Sequence, residues 1–122
     1  MTQISLQAIQ WVGSSQKDLK EFPEDVRGIM GYALYLAQTG GKHQSARPLK
    51  GFGGAKVLEI SDDYDGDTYR AVYTIKFGDT VYVLHAFQKK SKKGIATPQQ
   101  DIKLIQERLK RAQEHYENFK SK

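Results

Sequence analysis

The sequence predicts an α+β fold: an N-terminal strand and a helical hairpin packed on a twisted, mainly antiparallel sheet of about four strands, followed by a long C-terminal helix. Three observations carry this prediction. Two apolar stripes recur at helical spacing, one on Val26, Ile29, Met30, Ala33, Leu36 and Ala37 and one on Ile102, Ile105, Leu109, Ala112, Tyr116 and Phe119. Between them lie three runs rich in β-branched and aromatic residues, KVLEIS, TYRAVYTIKF and TVYVLHAFQ. At 122 residues, with 39% hydrophobic content and no internal repeat, the chain forms a single domain over residues 1–122.

The element order follows from local signals. ISLQAIQWV alternates well enough for a short first strand. In SSQKDLKEF, Ser15 with Asp18 three residues later reads as a helix N-cap, and Leu19 and Phe22 give the helix an apolar side. Pro23 suits the first turn of a second helix, which Gly40 and Gly41 stop after Thr39. Residues 42–56, KHQSARPLKGFGGAK, read as a loop. TPQQ opens the last helix, with Thr97 as N-cap, Pro98 at the first position and Gln100 closing a capping box. The order is β, α, α, β, β, β, α.

Composition narrows the chemistry. With no cysteine, the chain has no disulfide, no thiolate nucleophile and no thiolate metal site, and His43, His85 and His115 are too scattered for a ligand set. No run approaches the roughly 20 apolar residues of a membrane span, and the N-terminus lacks a signal-peptide plan, so a cytoplasmic location is expected. The formal net charge of +5 is unevenly placed. Lys42, Arg47, Lys50 and Lys56 share a span without acids, as do Lys89, Lys90, Lys92 and Lys93, whereas carboxylates gather at DDYDGD. Such segregation suits a polyanion, although a solvated lysine surface gives the same pattern.

The turn between the last two β-rich runs fixes where their side chains meet. Gly78 and Asp79 between Phe77 and Thr80 fit a two-residue hairpin turn, so paired residue numbers should sum to 157. Tyr73 would face Leu84, Ala71 would face Ala86 and Tyr69 would face Gln88 on the apolar side that covers the helices. On the other side Arg70 would meet Phe87, Val72 would meet His85 and Thr68 would meet Lys89.

An arginine beside an aromatic, rimmed by lysines, is suited to single-stranded RNA: a base stacks on the ring while cations hold phosphates. The same groups suit metal-free RNA cleavage, with Arg70 stabilising phosphate charge and Lys89 and His85 as candidates for proton transfer. Lys50 and Arg47, with Phe87 and Lys90, are the candidate RNA contacts. The plain structural alternatives are an Arg70–Glu59 cross-strand pair, a buried structural His85 and a packing role for Phe87.

LKGFGGAKVLEI, GDTYRAVYTIKF and VYVLHAFQKKSKKGIATPQQDIKLIQERL together resemble the blocks of the RelE/ParE-like toxins of bacterial toxin–antitoxin modules, in particular the phage-related HigB branch. SSQKDLKEFPEDVR followed by a helix and TGG extends the resemblance over nearly the whole chain. It implies a RelE-like fold and ribosome-dependent, metal-independent cleavage of messenger RNA, with no small-molecule cofactor. It also implies a partner antitoxin of HigA type with a helix-turn-helix domain. Arg70 matches the strand arginine that contacts the scissile phosphate in such nucleases; Phe87 and Lys89 match the aromatic and basic positions ending the last strand, Lys50 the basic loop position, and Lys90 lies beside them. The chain departs from some relatives in having no tyrosine after its last strand. Fold relatives of the ParE type poison DNA gyrase instead, and a catalytically inert RNA- or antitoxin-binding regulator is the third reading.

Overall fold

The structure, a computed structural model, describes residues 6–54, 56–89 and 97–120. Its elements run β1 (Ala8–Trp11), α1 (Ser15–Lys20), α2 (Glu24–Gln38), β2 (Ala46–Pro48), β3 (Val57–Tyr64), β4 (Asp67–Thr74), β5 (Thr80–Lys89) and α3 (Gln99–Lys120). The sheet has five strands in the order β1-β5-β4-β3-β2, one more than expected. The extra strand, β2, lies inside the Gly- and Lys-rich segment that reads as a loop, and three residues are too few to show an alternating pattern. It pairs antiparallel with β3, whereas β1 runs parallel to β5.

Helix boundaries follow their capping groups. The cap of α1 is Ser14 rather than Ser15: the Ser14 hydroxyl donates to Asp18 at 2.7 Å, while buried Ser15 donates to the Val83 carbonyl at 3.1 Å. Pro23 sits just outside α2, at its N-cap. At the other end Gly40, at φ +87°, donates to Ala37 O, and Gly41 donates to Leu36 O, so the left-handed turn satisfies two carbonyls that the helix leaves open.

Two apolar layers sandwich the sheet. On one side Leu19, Phe22, Val26, Met30, Ala33 and Ala37 of α1 and α2 pack on Ile60, Ala71, Tyr73, Val83 and Ala86. Ile29, expected in the buried stripe of α2, is exposed, and Leu34 is buried in its place. On the other side Ile105 and Ala112 of α3 pack on Val57, Val72, Tyr82 and Leu84. The long helix therefore covers the face that the register argument left open, except that Phe119 lies past the sheet and is 74% exposed.

The β4–β5 ladder holds the expected register for Thr68↔Lys89, Tyr69↔Gln88, Arg70↔Phe87, Ala71↔Ala86 and Val72↔His85. It then shifts, and Tyr73 faces Val83 rather than Leu84. Leu84 is the extra residue of a β-bulge, and its side chain joins the α3 layer instead of the α2 layer. The two-residue turn survives as the Thr80 N–H to Phe77 O bond at 3.3 Å, but the strands have already parted after Thr74.

Two outcomes test this packing. Ile105→Ala is expected to cost ~2–4 kcal/mol in urea denaturation, against less than ~0.5 kcal/mol for Phe119→Ala. Burial pushes the fully enclosed Tyr73 phenol up to about 12, and its hydroxyl has no hydrogen-bond partner among the described residues. Because the folded value lies above the unfolded one, this stability is complete below pH ~10 and is lost as pH rises toward ~12, by up to roughly 2–3 kcal/mol. Tyr73→Phe should leave stability at pH 7 intact and flatten that alkaline decline.

Candidate nucleic-acid site at the end of the sheet

The bulge decides which β5 side chains form the site. Val81 and Val83 face α2, whereas His85, Phe87 and Lys89, also odd-numbered, lie on the α3 face with Leu84. Arg70 of β4 lies opposite Phe87 and so shares that face. Four of the predicted residues, Arg70, His85, Phe87 and Lys89, are thus brought to one end of the sheet. Arg70, His85 and Lys89 are at most 6% exposed, so they are enclosed rather than set on an open surface.

The first turn of α3 and Thr97, two residues before it, enclose them. Thr97 does not cap α3; the Pro98 carbonyl accepts the first helical bonds, from Asp101 and Ile102. The Thr97 hydroxyl instead donates to Glu59 Oε2 at 2.9 Å and accepts from Arg70 Nη1 at 3.1 Å. Arg70 Nη1 also lies 3.4 Å from Glu59 Oε1, so the cross-strand ion pair anticipated for these residues is present, with Thr97 as its third member. One turn further, Asp101 accepts from His85 Nε2 at 2.8 Å.

Behind His85 lies Arg108, which is 7% exposed. Its Nη1 donates to the Leu84 carbonyl at 3.0 Å and lies 3.5 Å from His85 Nδ1, while Nη2 donates to Ser14 at 3.1 Å. A guanidinium can only donate, so Nδ1 is assigned as the acceptor and Nε2–H as the donor to Asp101. Both ring nitrogens are therefore engaged within the chain, and the imidazole stacks on Phe87 at 4.6 Å and 17°. Burial draws the Arg108 pKa below its ordinary value, although Asp18 works in the opposite direction. Gly13, at φ +59°, makes room for the guanidinium: a Cβ there would stand 2.8 Å from Arg108 Nε.

Arg47, exposed on β2, lies in the cross-sheet row Arg47, Glu59, Val72, His85 and so shares the face of the cluster. Lys50 is exposed past the other end of β2, beyond Leu49, which bonds to Val57 at the start of β3. Lys90 falls outside the described residues. Sequence reasoning missed Asp101 and Arg108. Their signal was present, since 101, 105, 108 and 112 continue one helical stripe and two of its four members are charged. Among the described residues no group of three or more His, Asp or Glu side chains converges as metal ligands would.

Residues 17–110 match the family model described as phage-derived protein Gp49-like. The chain belongs to this Gp49-like family. Among solved structures it is similar to a mutant of the E. coli toxin RelE in its free state, at 16% identity and a TM-score of 0.57, covering 87% of this chain and 97% of that one. A RelBE toxin–antitoxin complex of Mycobacterium tuberculosis is also similar, at 16% identity and a TM-score of 0.46 over 75% of this chain and 100% of that one. No curated protein matches. The RelE likeness shows that the Gp49-like chain has the RelE-like fold expected from its sequence. No helix among the described residues is long and apolar enough to cross a membrane.

Gly13→Ala should cost the Gp49-like domain at least ~2 kcal/mol, because a left-handed alanine is strained and Arg108 must also shift. Gly40→Ala is the control: its φ is similar, +87°, but nothing lies within 4 Å of the added Cβ, and a loss of only ~1 kcal/mol is expected in the same denaturation series.

Proposed function

We propose that this chain is the toxin of a type II toxin–antitoxin module, a HigB-like, ribosome-dependent and metal-independent mRNA endonuclease that inhibits translation in the cytoplasm. One observation carries the reading: Arg70, Phe87 and Lys89, a phosphate-binding fork, a stacking ring and an ammonium, share the end of one sheet face, and the Arg70 Nη1 atom already holds a hydroxyl oxygen, that of Thr97. The likeness in fold to the E. coli toxin RelE supports the class.

Cleavage would proceed by attack of a ribose 2′ oxygen on the adjacent phosphorus. The P–O2′ bond forms, the P–O5′ bond breaks, and a 2′,3′-cyclic phosphate and a 5′ hydroxyl result. Arg70 exchanges the Thr97 oxygen for phosphate oxygens and balances the charge of the phosphorane. The Asp101 carboxylate, backed by His85, takes the 2′ proton, and Lys89 delivers a proton to the departing 5′ oxygen. Phe87 stacks a flanking base, with Arg47, Lys50 and Lys90 on neighbouring phosphates. The ribosome aligns the mRNA, which lets moderate acids and bases suffice. Between cleavage events the toxin is held by a cognate helix-turn-helix antitoxin of HigA type.

Primer extension on a defined mRNA in a reconstituted translation reaction tests this. Wild-type protein should produce ribosome-dependent cuts, reduced about 10²–10³-fold by Arg70→Ala and comparably by Lys89→Ala. Toxicity with DNA damage and no mRNA cuts would point to gyrase; neither effect from folded protein would point to an inert binding role.

A further inference from the structure

A recess of about 290 Å³ opens on the other side of Phe87 from the cleavage cluster. Asp18 of α1, Glu21 and Phe22 just after it, and Tyr69, Phe87 and Gln88 of the sheet line it. It exists because β1 pairs with β5 only at Val81, Tyr82 and Val83 and their neighbour Thr80, so the later half of β5 has no strand on that side and α1 stands there instead. Tyr69 and Gln88 are register partners and present their side chains to the same face.

The lining is unusual in what it leaves unused. Tyr69 is nine-tenths buried, with its ring edge-on to Phe22 at 5.0 Å, yet its hydroxyl has no hydrogen-bond partner among the described residues. Burial, and after it Asp67 and Asp65, hold that phenol protonated by raising its pKa. Asp18 accepts from Ser14 through one carboxylate oxygen, and its other oxygen has no hydrogen bond among the described residues; Glu21 is exposed at the rim. Three aromatic side chains, Phe22, Tyr69 and Phe87, thus line a space edged by hydrogen-bond acceptors, with no cation among its six named residues.

We infer that this recess is a nucleobase pocket, and that it selects guanine. Flat rings suit a base, and carboxylates accept from its N–H groups. An acceptor-rich edge favours the base with most donors on its pairing edge: guanine offers N1–H and N2–H₂, adenine and cytosine one amino group each, and uracil a single imino N–H. Phosphates are repelled by Asp18 and Glu21 and attracted by Arg70 and Lys89 across Phe87, so the base and the backbone of one nucleotide would straddle that ring. This assignment deepens the nuclease reading and rests on it for its role as a sequence filter, though not for the binding itself.

Titration of ¹⁵N-labelled full-length protein with each nucleoside 5′-monophosphate tests it. Guanosine monophosphate should shift the Gln88 side-chain amide and bind at least about tenfold more tightly than uridine monophosphate, and that preference should fall about tenfold in Asp18→Asn/Glu21→Gln and weaken in Tyr69→Phe. Equal binding of all four nucleotides, or shifts confined to residues outside the recess, would overturn the inference. The nuclease reading stands apart: guanine binding by a protein that cuts no mRNA keeps the pocket and removes the nuclease. Conversely, undiminished cutting at the same positions by the double variant, with no guanine binding, keeps the nuclease and removes the pocket.

Discussion

The bulge at Leu84 is the constraint on which the rest of the structure depends. A strand that alternated without interruption would carry Val81, Val83, His85, Phe87 and Lys89 on one face. It would then bury two ionisable groups under α1 and α2, against a layer that supplies Leu19, Val26 and Met30. One extra residue reverses the parity, so the first half of β5 serves the α2 layer while its second half delivers His85, Phe87 and Lys89 to the side of Arg70. A β-bulge beside a candidate site is a recurrent device for aiming side chains, and here it aims three of them.

The polar groups gathered by that reversal are costly to bury, and the α3 side supplies their partners. Arg70 with Glu59 and Thr97, and His85 with Asp101 and Arg108, are two connected sets of charge-assisted bonds. Their net stabilisation is modest, because desolvation offsets much of the attraction. What they provide is placement, since the first turn of α3 can dock only where these bonds register. The apolar contacts of Ile105 and Ala112 supply the larger share of the docking free energy. The proposed cleavage therefore begins from an enclosed arrangement in which a phosphate competes with Thr97 for the guanidinium.

The layered fold was legible because helical stripes and β-rich runs are long-range patterns that survive local irregularity. The turn at Gly78 and Asp79 gave the right pairing for Arg70 with Phe87 even though the ladder slips in between, since the slip lies nearer the turn and the cluster beyond it keeps the nominal register. Leu84 was not recognisable as a bulge: it is apolar, the run 81–84 before His85 is apolar apart from the Tyr82 hydroxyl, and both faces of the sheet accept such side chains. Asp65-Gly66 was a readable hairpin signal for the β3–β4 turn, with both residues at positive φ, and it explains why β3 reaches Tyr64 instead of ending near Ser61. Thr97 looked like a cap because sequence cannot distinguish a hydroxyl that binds its own helix from one that binds a strand. Arg108 was hidden by its type, as arginine in an amphipathic helix ordinarily faces water.

The central claim is that the scissile phosphate meets the chain at the end of the sheet, against Arg70 and Lys89, with a base on Phe87. The most direct measurement is the structure, by cryo-electron microscopy, of the protein on a ribosome whose mRNA carries 2′-O-methyl groups that block cleavage. The account predicts a backbone phosphate within hydrogen-bond distance of the Arg70 guanidinium, in place of the Thr97 hydroxyl. An mRNA that passes elsewhere on the protein, with the Arg70–Thr97–Glu59 set still closed, would contradict it.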